Sequence, residues 1–364
     1  MFYIYLFVTT LVLSLLIAPV IKKLAFKFEV LDIPTDPRKI HKKPIPLMGG
    51  FAIFFAFFVM LLLYIFIARP DFNIIPIRYY WGIFFGALIL MWGGLLDDRY
   101  NIPAKYQIIF PILAALALVF SGIGSSITYI SNPFGSAVQL GNVFLGIKIS
   151  SAFVFLFILG MIYTTKFLDG MDGLASGISF IASLTLFFLS LTPKINQSIT
   201  ASLAIIFCGA ILGFLFYNFN PASIFLGESG STLLGFMLAV LSVLLGGKIA
   251  TAVLVMGIPI MDVAWVIARR LWFGVSPFKA DRKHLHFRLL DLGFSQKQTV
   301  LILYFIAMFF GGMAIFLQSL GKLISMVVLL FVMIAIALST VVAYKYKYPH
   351  IPGAASAKPG QKKD

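Results

Sequence analysis

The sequence predicts an all-α polytopic membrane protein of about 11 transmembrane helices, N-terminus out and C-terminus in, with a small extracytoplasmic β-hairpin. Three observations lead there. Of 364 residues, 61% are hydrophobic and 11% charged, where soluble domains carry about 25% charge. The mean hydropathy is +1.02, and apolar runs long enough to cross a bilayer recur along almost the whole chain. The 28 Lys and Arg outnumber the 13 Asp and Glu and gather on alternate connections. This composition excludes a soluble globule, a disordered chain and a disulfide scaffold. Cys208 is the single cysteine and reads as core. The basic excess is assigned to anionic lipid and topology, not to nucleic acid.

Taken in order, the apolar windows are 2–21, 48–68, 79–96, 106–123, 150–167, 173–191, 198–217, 230–247, 249–268, 299–318 and 323–343. The first has no basic residue ahead of it and no small-residue cleavage site after it, so it reads as a span rather than a signal peptide. The third ends at Asp97-Asp98. Between the fourth and fifth, residues 124–149 read as one hairpin closed at Gly141-Asn142. Only Gly246-Gly247-Lys248 separates the eighth from the ninth. Gly257 and Pro259 predict a kinked or broken ninth helix. Residues 1–343 form one membrane domain, and 344–364 a basic, disordered cytoplasmic tail. No internal repeat is visible.

With the N-terminus outside, 22 Lys and Arg fall on inner segments and six on outer ones, the bias expected of a cytoplasmic face. The acids follow the same division. Only Asp71 lies outside. Asp97 and Asp98 end the third helix, Asp169 and Asp172 bridge the fifth and sixth, and Glu228 opens the eighth. Five carboxylates at one face, none mid-helix, describe a single site rather than a midplane ion pathway. Adjacent Asp97 and Asp98 point about 100° apart and should have separate jobs. Asp169 and Asp172 can face the same way, and the glycine after each leaves room for a ligand. Clustered carboxylates repel unless a divalent cation or a nearby Lys or Arg relieves them. Hard oxygens beside phosphates suit Mg²⁺.

Bases share that face: Arg38-Lys-Ile-His-Lys42-Lys43, Lys105, Lys166 and the loop Lys279-Ala-Asp-Arg-Lys-His284-Leu-His286-Phe-Arg288. An extended segment would present His284, His286 and Arg288 together. Acids for a metal beside bases for phosphates point to phosphoryl chemistry on an anionic substrate. Each feature also has a structural reading. Asp97-Asp98 makes a polar helix end, D-G-x-D-G a turn, Glu228 with Ser229 and Ser231 an N-cap, and the basic loops topology signals. Asp262 then pairs with Arg269 or Arg270.

These motifs, in this order from about residue 32 to 297, resemble the polyprenyl-phosphate N-acetylhexosamine-1-phosphate transferases. The pieces are Asp36-Pro-Arg-Lys-Ile-His-Lys-Lys-Pro-Ile-Pro-Leu-Met-Gly-Gly50, Gly-Leu-Leu-Asp97-Asp98-Arg99, Asp169-Gly-Met-Asp172-Gly, Asn218-Phe-Asn-Pro-Ala-Ser-Ile-Phe-Leu-Gly-Glu228-Ser-Gly-Ser231 and Asp281-Arg-Lys-His284-Leu-His286-Phe-Arg288. The last is similar to the WecA/TarO branch rather than to MraY. The resemblance implies transfer of HexNAc-1-phosphate from a UDP-sugar, GlcNAc first, to polyprenyl phosphate with release of UMP. The site would lie on the cytoplasmic face of a bacterial-type cytoplasmic membrane.

It implies Asp97, Asp98 and Asp169 as catalytic residues, with Asp97 the base and Asp98 supporting the metal or a neighbouring base. Asp169 and Glu228 would hold Mg²⁺, with Mn²⁺ as the alternative ion. Asp172, Lys166, His284, His286 and Arg288 would bind nucleotide and sugar, and Lys42, Lys43 and Lys105 the lipid phosphate. A covalent aspartyl intermediate is the alternative mechanism, and a homodimer an assembly the reading allows. Four positions depart from the family pattern: Glu228 for Asp, Phe287 for His, and Tyr163 with Lys166 where asparagines are usual. Two rivals stand beside it. A CDP-alcohol phosphatidyltransferase needs an Arg where Ser176 stands. A secondary transporter of nucleotide- or lipid-linked sugars is disfavoured by the face-clustered acids.

Overall fold

The computed structural model describes residues 1–34, 43–125, 127, 129–130, 138–141, 143–144, 147–246, 249–272, 274, 284–317 and 319–347. Its helices are α1 (Phe2–Lys27), α2 (Gly49–Ala68), α3 (Ile77–Tyr100), α4 (Ala104–Gln107), α5 (Ile109–Phe120), α6 (Ile149–Leu168), α7 (Leu174–Ser190), α8 (Ser198–Asn218), α9 (Gly227–Leu244), α10 (Ile249–Val255), α11 (Gly257–Trp272), α12 (Leu285–Leu292), α13 (Gln296–Phe316) and α14 (Ser319–Lys347). Every apolar window of the sequence meets a helix, the ninth meeting the pair α10 and α11. Among the described residues, seven helices are long and apolar enough to cross a membrane, or eight if that pair is one span. The stretches Ala104–Phe120, Leu174–Ser190 and Leu320–Ile336 are apolar but shorter.

The ninth helix is broken as expected: α10 and α11 meet at 79°. Gly257 opens α11, and Pro259 lies in its first turn, where a missing N–H removes no helical bond. The centre of the bundle is α8 and α9. Their apolar windows are 83% and 89% buried, against 28% for α1. Helices α1, α2 and α7 pack on α8, while α3, α6, α2 and α7 surround α9.

One set of backbone bonds brings distant motifs together. β1 (Leu31–Asp32) pairs antiparallel with β2 (Ile45–Pro46). The Pro46 carbonyl accepts the Phe225 N–H at 2.8 Å, and the Gly49 and Gly50 N–H groups donate to the Phe225 and Leu226 carbonyls at 2.9 Å. Those N–H groups open α2 and have no partner within it, so the loop before α9 satisfies them. Gly94 on α3 lies so close to the Ser229 backbone that a Cβ would collide with it. The end of α3 thereby reaches the start of α9.

The single hairpin expected in 124–149 is corrected. β3 (Tyr129–Ile130) pairs with β4 (Val138–Gln139), and β5 (Val143–Phe144) with β6 (Ile147–Lys148), all antiparallel. Gly141 lies between the two pairs instead of at a hairpin tip. Ile130 faces Val138, a pair of β-branched residues suited to strands, and Tyr129 faces Gln139, while Phe144 faces Ile147. Asn142, the other half of the expected turn, falls outside the described residues, as does the tail from 348.

Candidate active site

A cavity of about 550 Å³ opens where α3, the α6–α7 turn, the loop before α9 and the start of α13 meet. Asp97, Asp98, Asp169, Asp172 and Glu228 all line it, and so does Lys166. The five carboxylates assigned to one face thus share one cavity, with a resident ammonium among them.

Each has a different environment. Asp97 Oδ1 accepts the Ile102 N–H at 2.9 Å and Gln107 Nε2 at 2.8 Å. Asp98 instead accepts the Glu228 N–H on both oxygens, at 2.9 and 3.1 Å. It caps α9 from another helix, with a carboxylate at the positive end of the helix dipole. The two carboxylates bond in separate directions, as the angular offset predicts, and Asp98 holds the Glu228 backbone. Ser229 and Ser231 were the expected cap; Ser231 Oγ instead donates back to the Glu228 carbonyl at 3.2 Å.

Lys166 Nζ lies 2.6 Å from Glu228 Oε1 and donates to Gln107 Oε1 at 2.9 Å. Asp172 Oδ2 accepts Asn220 Nδ2 at 2.9 Å and the Ala222 N–H at 3.0 Å. Asn220 also donates to Gln296 Oε1 at 2.7 Å. Asp169 ends α6 and takes no hydrogen bond on its carboxylate among the described residues. It touches the cavity yet lies deep among protein atoms. That burial, with Glu228 and Asp172 nearby, raises its carboxyl to about 7.

The segment after the basic loop is helical rather than extended, which corrects the expected alternation. Leu285, Leu289 and Leu292 recur at helical spacing, and the start of α12 is held by Asp262 Oδ1, which accepts the Leu285 N–H at 2.9 Å. Asp262 Oδ2 lies 2.8 Å from His284 Nδ1, so its site partner is His284, not the arginines expected. His284 and His286 stack at 5.6 Å with an interplanar angle of 8°. His286 Nε2 is buried without a partner among the described residues and occupies the space beside Gly170. The room left by this glycine is therefore filled by the protein itself. Burial lowers the His286 ring to about 4.

Phe287 lines the cavity; His284 and Arg288 do not. Lys43 is exposed and Lys105 is exposed on α4, its Nζ 4.8 Å from the Tyr106 ring centre, and neither reaches the wall. Lys42 and Asp281 fall outside the described residues. Gln107, Asn220, Asp262 and Gln296 were not predicted as site residues. Asn220 sits inside a quoted motif, and an acid within an apolar helix such as Asp262 is itself a signal.

Among the described residues no group of three or more His, Cys, Asp or Glu could hold a metal by itself. Asp169 without donors, beside Glu228 with its Oε2 unpaired among those residues, suits a hard cation that takes one or two carboxylates and completes its shell with phosphates and water.

The model of the glycosyl transferase family 4 matches residues 80–246. A protein of Bacillus subtilis (strain 168) named probable undecaprenyl-phosphate N-acetylglucosaminyl 1-phosphate transferase is 31% identical over 353 residues, covering 94% of this chain and 93% of its own. The chain belongs to the polyprenyl-phosphate N-acetylhexosamine-1-phosphate transferases. Other members of this transferase family resemble it at similar identity. An undecaprenyl-phosphate alpha-N-acetylglucosaminyl 1-phosphate transferase of Thermotoga maritima is 31% identical, over 82% of this chain and 86% of its own. A decaprenyl-phosphate N-acetylglucosaminephosphotransferase of Mycobacterium tuberculosis is 31% identical over 78% of this chain and 74% of its own. All five cavity carboxylates of this transferase lie within the stretch matched by the family model, and His284 and His286 lie beyond it.

Proposed function

We propose that this transferase moves GlcNAc-1-phosphate from UDP-GlcNAc to polyprenyl phosphate, undecaprenyl phosphate first. UMP is released, and the product is the first lipid-linked intermediate of a cell-envelope glycan such as lipopolysaccharide or teichoic acid. The observation that carries it is the convergence of five motif carboxylates and Lys166 on one cavity. An oxygen of the lipid phosphate forms a bond to the β-phosphorus of the sugar nucleotide. The bond from that phosphorus to the oxygen it shares with the α-phosphorus breaks, and UMP leaves with that oxygen. Both reactants are anions, so positioning and charge neutralisation are the main tasks.

In this reading Asp97 receives the proton of the lipid phosphate on Oδ2, the oxygen not engaged by Ile102 and Gln107. Asp98, which holds the Glu228 backbone, supports the metal site or a neighbouring base. Asp172 keeps Oδ1 for the uridine or its ribose. Lys166, within reach of the cavity, binds phosphate. His284 and Arg288 serve the diphosphate and sugar, and His286, kept neutral by burial, offers a hydrogen bond rather than charge. Lys42, Lys43 and Lys105 guide the lipid phosphate from outside the wall. Asp169 and Glu228 hold Mg²⁺, which polarises diphosphate oxygens when bound. We read all 11 apolar windows as spans, N-terminus out and C-terminus in. The cavity then faces the cytoplasm from the cytoplasmic membrane, the β3–β6 pairs lie outside, and a homodimer is an assembly this reading allows.

The test is UMP release by purified protein in detergent, with polyprenyl phosphate and a panel of UDP-sugars. UDP-GlcNAc should give Mg²⁺-dependent UMP in step with lipid-linked sugar. Asp97→Asn should lower kcat by about 10²–10⁴ while nucleotide binding persists. No UMP from any donor, together with sugar-nucleotide flux in vesicles, would replace the transferase reading with a transporter.

A further inference from the structure

Gln107 carries no charge and belongs to none of the motifs, yet its amide joins two of the charged groups of the cavity. Nε2 donates to Asp97 Oδ1 at 2.8 Å and to the Ile102 carbonyl at 2.7 Å. Oε1 accepts Lys166 Nζ at 2.9 Å, and that ammonium lies 2.6 Å from Glu228 Oε1. Both amide hydrogens and the carbonyl are therefore in use. Gln107 also lines a small cleft, shared with Asp97 and Glu228, between α3, α5 and α9.

We propose that Gln107 is a positioning residue for the transfer, a neutral spacer that commits Asp97 Oδ1 and keeps the Lys166 ammonium on Glu228. An amide can donate to a carboxylate at one end and accept from an ammonium at the other. Its polarity sorts the neighbouring charges: carboxylate on the NH₂ side, ammonium on the carbonyl side. With Oδ1 taken twice, Oδ2 is the Asp97 oxygen presented to substrate. Without the spacer, Lys166 is free to close onto Asp97 and cover that oxygen. The proposal rests on the transfer reading and on Asp97 as its base, and it adds which oxygen works and what fixes it.

Steady-state kinetics of the full chain in detergent, with UDP-GlcNAc and polyprenyl phosphate, test it. Gln107→Met keeps the length and removes all three bonds. It should lower kcat by about ten- to a hundredfold, with KM for UDP-GlcNAc and the melting temperature unchanged. Gln107→Glu keeps the shape but sets a carboxylate against Asp97, and should lose more than Gln107→Met. The double variant Gln107→Met with Lys166→Met should fall no further than the worse single variant, as groups acting as a unit do. A wild-type kcat in Gln107→Met, equal tolerance of Met and Glu, or a kcat loss matched by loss of the melting transition overturns the role. If the wild type itself releases no UMP, the transfer reading falls with it. A wild type that transfers beside an unaffected Gln107→Met overturns the role of Gln107 alone.

Discussion

Asp97 and Asp98 are covalent neighbours, but a helix turns about 100° per residue, and their oxygens bond in different directions: one toward the α4 segment, the other to the backbone of α9. That division was legible in the sequence from spacing alone. The partners were not, because Glu228 is 130 residues from Asp98 and Gln107 is 59 from Lys166. Two departures from the family pattern, read separately in the sequence, turn out to be one ion pair: the Glu228 carboxylate lies on the Lys166 ammonium. His286 allows a prediction. Its ring is lowered to about 4 from an ordinary 6.5, chiefly by burial, with Asp262 opposing and His284 adding. The unfolded chain therefore binds the extra proton between those values. This contribution to stability is complete above pH 6.5 and lost as pH falls toward 4. Melting temperature in detergent should drop from pH 7 to pH 5, and His286→Leu should flatten the drop. A variant profile parallel to the wild type would remove His286 as its cause.

Among elements, the apolar helices were readable because each must satisfy its own backbone in lipid and carries a run of matching length. The broken ninth helix was readable from Gly257 and Pro259. α12 was not, since the alternating His284, His286 and Arg288 invite an extended reading while the leucines carry the helical period. What settles the start of α12 is Asp262, a carboxylate from α11 on the Leu285 N–H. The two β pairs escaped because Gly141-Asn142 has the composition of a hairpin tip, while the pairing of Ile130 with Val138 that replaces it is set by the fold. α9 begins in the same manner as α12, under a borrowed carboxylate. Asp98→Ala should cost about 1–2 kcal/mol, seen as a lower melting temperature in detergent. Asp98→Asn, which keeps an acceptor, should cost less. Unchanged melting in Asp98→Ala would mean that the cap contributes nothing.

At the scale of the whole molecule, charge sets the proposed orientation, with 22 of 28 Lys and Arg on the segments read as inner. Cys208 is buried, so single cysteines introduced at exposed positions report without background. Asp71→Cys should react with an impermeant thiol reagent in intact cells, and Lys297→Cys only after the membrane is opened. The reverse pattern would invert the topology. The cavity has a further consequence for how the protein is made. Its wall runs in sequence from Asp32 to Gln296, so a chain still on the ribosome, with α13 not yet inserted, holds all five motif carboxylates but lacks the Gln296 side of the wall. The order of synthesis therefore leaves the last side of the cavity open until the bundle is nearly whole.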